Sequence, residues 1–305
     1  MQPFIEPLQT IKPQGLFIPP GIKPLSEETD GQIRLGIQGP PFVGKTHSAL
    51  TFPNPVLLSF DKKANAHAHR SDILNVPFYD GTFCNNIIAP AKFGLPPNRR
   101  DALLKWLDKN GPQFSHEQTL VLDNFSGIEE AFHIQYWTDP VYTQGLEVNT
   151  YAEWDQKIEF FRDLHVLLKA TKANVVTITH EQEEFKKGAA TGKIKALLNG
   201  QAGQKLGKNY TDWFAGITVS KPNTIEQTTK LKQWANVSDE TIKEWCNASP
   251  SQYQSIHLWQ TQGDDQRDCG TSTMYLAPKY VLATYESFLR YKRKASKELQ
   301  QTNNQ

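Results

Sequence analysis

Eight consecutive residues, Gly39-Pro40-Pro41-Phe42-Val43-Gly44-Lys45-Thr46, fill every fixed position of the pattern G-x-x-x-x-G-K-[ST]. The chemistry that this spacing serves is the cradling of phosphate. Glycines at 39 and 44 permit backbone torsions that other residues resist, so successive N–H groups can converge on phosphate oxygens. Lys45 is placed to reach β- and γ-phosphates, and the Thr46 hydroxyl to meet Mg²⁺. A helix beginning at Lys45 turns the positive end of its dipole toward the same point. The stretch from Gly39 to His47 is therefore expected to bind a nucleoside triphosphate, ATP, together with Mg²⁺.

Such a loop needs a carboxylate on the metal side, at the end of another strand. Asp123 in TLVLDN fits, holding the metal through a water. An aspartate in an ordinary turn is the bland alternative. The next residue is Asn124, not a glutamate, so a general base has to come from elsewhere. Asp61 and Glu181 both stand at carboxyl ends of expected strands, where open α/β sheets build their sites. Asp61 is the preferred candidate. His180 closes the strand NVVTIT and is placed to sense a γ-phosphate, or else is a simple hydrogen-bonded histidine. The expected catalytic set is Lys45, Asp61, Asp123 and His180, with Thr46 and Asp123 on the metal.

The elements that must position these residues follow from the apolar pattern. Strands are expected at 33–38, 56–60, 119–122, 174–179 and 214–219, with helices at 45–51, 100–110 and 150–170. In the last helix Ile158, Phe161, Leu164, Val166, Leu167 and Leu168 are expected to share one broad face. Strands alternating with helices argue for a mostly parallel sheet covered on both sides. A terminal helix is expected over 280–300 with a basic end, RYKRK, and a disordered Gln/Asn tail. Residues 225–275 give no functional reading, although SIHLWQT is β-like. The proline-rich stretch 1–30 reads as an extension. The domain is expected over 31–289, with a core at 31–220 and a C-terminal part at 221–289, and the tail over 290–305.

Bulk properties exclude several classes. A net charge of +1 rules out a globally basic nucleic-acid coat, so any polyanion contact has to be local. Cys84, Cys246 and Cys269 are widely spaced and form no CxxC, which argues against a disulfide scaffold or a zinc site. No apolar run approaches the ~20 residues of a membrane span, and the N-terminus lacks the layout of a signal peptide. A cytoplasmic protein without membrane contact is expected.

Taken in order, GPPFVGKTHSAL, PVLLSFDKKANAH, TLVLDNFSGIEE and NVVTITHEQEEF resemble the phage-encoded RecA-like P-loop ATPases of the AAA type, which act in DNA recombination and single-strand annealing. KALLNGQAGQKLGKNYTDWFAGITV is also similar, and the likeness covers roughly residues 31–220. The resemblance implies a RecA-like α/β core, ATP hydrolysis, assembly into rings or filaments, and single-stranded DNA as partner. Relatives usually end the strand after the loop helix in an acidic motif with a catalytic Glu. Here Asp61-Lys62-Lys63 stands instead, which bears on hydrolysis rather than on nucleotide binding.

In such cores the loops after the strands ending at Asp123 and His180 face nucleic acid. The segment after His180 carries Lys186, Lys187, Lys193, Lys195, Lys205 and Lys208 among interspersed glycines. It reads as a mobile basic loop that tracks a phosphate backbone, or as a solvated surface loop. Beyond Asp123, the aromatics Phe125, Phe132, Tyr136, Trp137, Tyr142, Tyr151 and Trp154 can stack bases or fill a core. Two other functions fit the loop. One is a small-molecule kinase, disfavoured because Arg99-Arg100 is the only mid-chain arginine pair. The other is a non-catalytic, ATP-gated assembly or packaging factor.

Overall fold

The computed structural model describes residues 31–60, 66–78, 99–129, 150–186, 189–198, 206–249 and 254–303. The chain falls into two compact units, Met1–Gly31 and Gln32–Gln305, and the sheet belongs to the second. Its strands are β1 (Arg34–Gly39), β2 (Pro55–Ser59), β3 (Leu74–Pro77), β4 (Thr119–Asp123), β5 (Asn174–Lys186), β6 (Ala189–Ala196), β7 (Asp212–Ser220), β8 (Ser255–Gln260), β9 (Gly270–Thr271) and β10 (Tyr280–Leu282). The helices are α1 (Lys45–Ala49), α2 (Arg99–Asn110), α3 (Thr150–Ala170), α4 (Ile225–Ala235), α5 (Asp239–Ala248) and α6 (Tyr285–Asn303).

The strand order is β10-β8-β7-β1-β5-β4-β2-β3, with β6 on β5 and β9 on β7. From β7 through β3 all neighbours are parallel, whereas β8, β9, β10 and β6 join antiparallel. β5 lies between β1 and β4, so the phosphate-type loop and Asp123 rise from strands separated by a single strand. The order could not be read from apolar runs, which say that a strand is buried but not beside what.

Parallel strands buried on both sides read as continuous apolar runs, and their alternate residues serve two cores. Val56, Leu58, Leu120, Leu122 and Val175 face Leu103 and Leu107 of α2 and Phe160, Phe161, Leu164 and Leu168 of α3. Leu35, Ile37, Leu57, Val121, Val176 and Ile178 face the other way, toward Ala49, Phe52, Trp259 and Phe288. A third cluster packs α4 and α5 on β8 and β10 through Ala235, Ile242, Trp245, Ile256 and Leu258. This mostly parallel sheet with helices on both faces is the α/β architecture expected from the alternation of strands and helices. Among the described residues no helix is long and apolar enough to cross a membrane.

Several expectations are corrected. On α3 the buried stripe is Lys157, Phe160, Phe161, Leu164 and Leu168, whereas Ile158 and Val166 are 44% and 59% exposed. At about 100° per residue those two fall off a stripe set by steps of three and four. β5 does not stop at Thr179 but runs to Lys186 and returns as β6, so the expected mobile loop is a β-hairpin. β6 is largely exposed and the hairpin half of β5 is polar, which leaves no apolar alternation to announce it. α6 starts at Tyr285 and extends to Asn303, past the expected domain boundary at 289/290 and through most of the tail expected to be disordered. RYKRK lies inside this helix rather than at its end, so it does not complement the helix dipole.

Candidate nucleotide site

β1 ends at Gly39 and α1 begins at Lys45, so the loop occupies the strand-to-helix turn that its sequence demands. Gly44 caps α1 with φ 76°, a left-handed conformation that disfavours side chains. Space enforces glycine as well: a Cβ there would lie 2.7–2.9 Å from the His257 ring. At Gly39 a Cβ would come within 3.0 Å of Val43 Cγ2 and 3.1 Å of the Gly216 carbonyl oxygen. Phe42 is also left-handed, at φ 67°, and 98% exposed at the loop tip.

Lys45 is only 7% exposed. Its Nζ donates to the carbonyl oxygens of Gly39 at 2.8 Å and Pro40 at 2.6 Å, so the ammonium lies over its own loop. Thr46 Oγ1 donates to Asp123 Oδ2 at 2.6 Å. A hydroxyl and a carboxylate converging in this way form a hard-oxygen pair. That suits Mg²⁺, which binds through one or two protein oxygens and completes its shell with water and phosphate. Among the described residues no group of three or more His, Cys, Asp or Glu forms a metal cage of its own.

Register brings the remaining parts together. Gly39 pairs with His180 across β1 and β5, and Ser59 with Asp123 across β2 and β4. Asn124 accepts from the Gly127 N–H at 2.7 Å and so starts the helical turn at 125–129. From that turn, Ser126 Oγ donates to the Leu197 carbonyl at 3.0 Å and accepts from the His180 N–H at 3.4 Å. The end of β5 and the root of the hairpin are thereby tied to the residues after Asp123.

These residues line an open cleft of about 740 Å³ that includes Phe42, Lys45, Thr46, Asp123, Asn124 and His180. His47, expected in the site, lines it too, and its other lining residues were missed in the sequence: His67, His69 and Arg70 from one segment, Ser249, Ser255 and His257 from another. The cue for the first segment was HAHR at 67–70; nothing local marks the second. The rings of His47 and His67 lie 6.5 Å apart. Burial, then the positive charges of Arg70 and His69, hold the His47 imidazole below its ordinary pKa. Burial and His47 do the same to His67. Both rings are therefore biased toward the neutral form.

Asp61 lies outside the described residues. Glu181, the other base candidate, is held by Arg267, which donates from Nη2 at 3.0 Å and Nε at 3.3 Å, so it already serves as an ion-pair partner. Of the basic residues proposed for DNA, Lys193 and Lys195 sit on β6, Lys195 Nζ lying 3.7 Å from Glu184 Oε1, and Lys208 in the 3₁₀ turn Leu206–Asn209. Lys186 ends β5, while Lys187 and Lys205 lie outside the described residues. Phe125 is fully buried in the core beside Phe161, which removes it from base stacking. Trp154 is partly exposed, with Lys157 Nζ 4.5 Å from its ring centre. Phe132, Tyr136, Trp137 and Tyr142 lie outside the described residues. Lys221, Lys279 and Arg290 engage Ser249, Asp264 and Glu244 respectively.

Residues 32–234 match the AAA domain family. No curated protein matches the chain. Among solved structures it is similar to the RadB recombinase, at 12% identity and a TM-score of 0.31 over 60% of this chain and 74% of that one. It is also similar to the flagellar accessory protein FlaH from Methanocaldococcus jannaschii, at 13% identity and a TM-score of 0.29 over 62% and 74%.

Proposed function

The chain belongs to the AAA domain family, and we propose that it binds ATP with Mg²⁺ at the loop from Gly39 to His47 and hydrolyses it in concert with single-stranded DNA. The observation that carries the nucleotide half is the hydrogen bond from Thr46 Oγ1 to Asp123 Oδ2 beside a complete phosphate loop. Mg²⁺ at this place would supply positive charge against the negative charge developing on the transferred phosphoryl group. Thr46 and Asp123 would hold it. Lys45 would exchange the carbonyls of Gly39 and Pro40 for phosphate oxygens, keeping its ammonium paired. His180, in register with Gly39, would meet the γ-phosphate side, and Asp61 remains the proposed base.

The DNA half rests on the resemblance and on the hairpin of β5 and β6, whose root is bonded to the turn after Asp123. Lys186, Lys193, Lys195 and Lys208, with Lys187 and Lys205, would track a phosphate backbone, and the assembly would be a ring or filament.

Phosphate release from ATP, with and without single-stranded DNA, for wild type and Lys45→Ala, tests the whole reading. DNA-stimulated turnover that disappears in the variant is the expected result. Turnover indifferent to DNA removes the coupling. ADP appearing only with a small acceptor makes the protein a kinase, and binding without turnover makes it an ATP-gated factor. Binding to DNA should also weaken with salt, with a log–log slope of about −0.7 per phosphate contacted.

A further inference from the structure

The histidine at 257 lies outside the matched segment 32–234 and far from the loop in sequence, yet it touches the loop at its most constrained point. It sits in β8, directly opposite Thr218 of β7. Along β8, Ile256 and Leu258 point into the layer of α4 and α5, while Trp259 packs with Phe52 and Phe288. Strand alternation therefore puts His257 on the same side as Trp259, toward α1 and the loop.

Three contacts fix the ring. Nδ1 and Thr218 Oγ1 are 3.1 Å apart and share a hydrogen bond. The Val43 backbone lies close enough to the imidazole to favour its charged form, against the burial that lowers its pKa. The face of the ring covers Gly44 so closely that even a methyl group has no room. Val43 is gripped from its other end too, because its Cγ2 stands 3.1 Å from where a Cβ of Gly216 would be. β7 and β8 thus form a bed under Val43 and Gly44. The bed answers a physical need: the left-handed torsion of Phe42, a non-glycine residue, persists only where the surroundings over-determine it, and α1, at five residues, is too short to do so alone.

We propose that His257 is a positioning residue for the phosphate loop, its imidazole holding Val43 and Gly44 in the shape that receives phosphate. The proposal rests on the reading of that loop as a triphosphate site. It assigns a part in nucleotide binding to β8, beyond the matched segment.

The test compares wild type, His257→Ala and Lys45→Ala by amide hydrogen exchange without nucleotide and by titration with a fluorescent ATP analogue. Loss of the ring that packs on the loop should speed exchange in the 39–50 peptide of His257→Ala about five- to tenfold and leave β4 and β5 unchanged. Analogue affinity should fall by a similar factor, and free imidazole should restore it in His257→Ala but not in Lys45→Ala. Unchanged loop exchange overturns the proposal, as does a rise spread over the whole sheet without imidazole rescue. If the wild type binds no analogue, the triphosphate reading fails, and the exchange comparison still decides whether His257 holds the loop.

Discussion

At the scale of single residues, Gly44 carries two separable demands. Its left-handed φ alone costs a side chain roughly 1–2 kcal/mol, and the His257 ring closes the remaining space. Gly44→Ala is expected to abolish nucleotide binding while lowering unfolding stability only modestly, as read by an ATP-analogue titration beside a urea melt. Retained binding would mean that the loop tolerates a reshaped backbone. Asp123 makes a different prediction. In Asp123→Ala the Thr46 hydroxyl loses its acceptor, and the proposed Mg²⁺ site loses its carboxylate. Turnover should then fall by about 10²-fold or more, the scale of losing one preorganised electrostatic group. The Mg²⁺ concentration for half-maximal activity should rise, which a metal titration of phosphate release measures.

At the scale of elements, α3 is locked to the turn after Asp123 by a buried ion pair between Lys157 and Glu129, both almost inaccessible to water. Removing one partner strands a charge in the core, so Lys157→Ala should cost about 3–5 kcal/mol in a urea melt. Lys157→Met combined with Glu129→Leu should recover most of it, because two apolar groups leave no charge behind. β1 offers a second test. A Cβ at Gly36 would fall 1.9 Å from Trp213 Cε3, so β1 and β7 pack with an indole where a side chain would be. Gly36→Ala should destabilise by about 1–3 kcal/mol through overpacking and shift Trp213 fluorescence. An unperturbed spectrum would show that the indole does not cover β1.

At the scale of the whole molecule, the AAA match ends within α4, but the core does not. Trp259 of β8 and Phe288 of α6 pack against Phe52 and Phe214, so a chain cut after residue 234 would expose the centre of one face of the sheet. The loop that follows β8 is held by Asp264. Burial raises its carboxyl pKa, but hydrogen bonds from Lys279, the Arg267 and Gln266 N–H groups and Gln260 outweigh that and bring it to about 2. A carboxyl with a depressed folded pKa adds stability above its unfolded value, near 3.8, and loses it as pH falls toward 2. Asp264→Asn should therefore be less stable than wild type at pH 7, and the gap should shrink below about pH 4 and close as pH falls through about 2, in urea melts taken across that range. A gap that persists at low pH would assign the loss to geometry rather than charge.

The sequence by itself determined what is local. The phosphate-loop pattern is eight contiguous residues, so it can be recognised without help from distant chain. β1, β2, β4 and the first half of β5 were readable as well, because strands buried on both faces leave unbroken apolar runs. Only the tertiary structure decided strand order, the return of β5 as an exposed hairpin, and the side of α3 that is buried. It alone brought His67, His69, Ser249 and His257 to the walls of one cleft. Periodicity records whether a residue meets water or protein, but not which distant segment it meets. That choice is made by long-range packing, and so the loop could be found in the sequence while the histidine against its glycine could not.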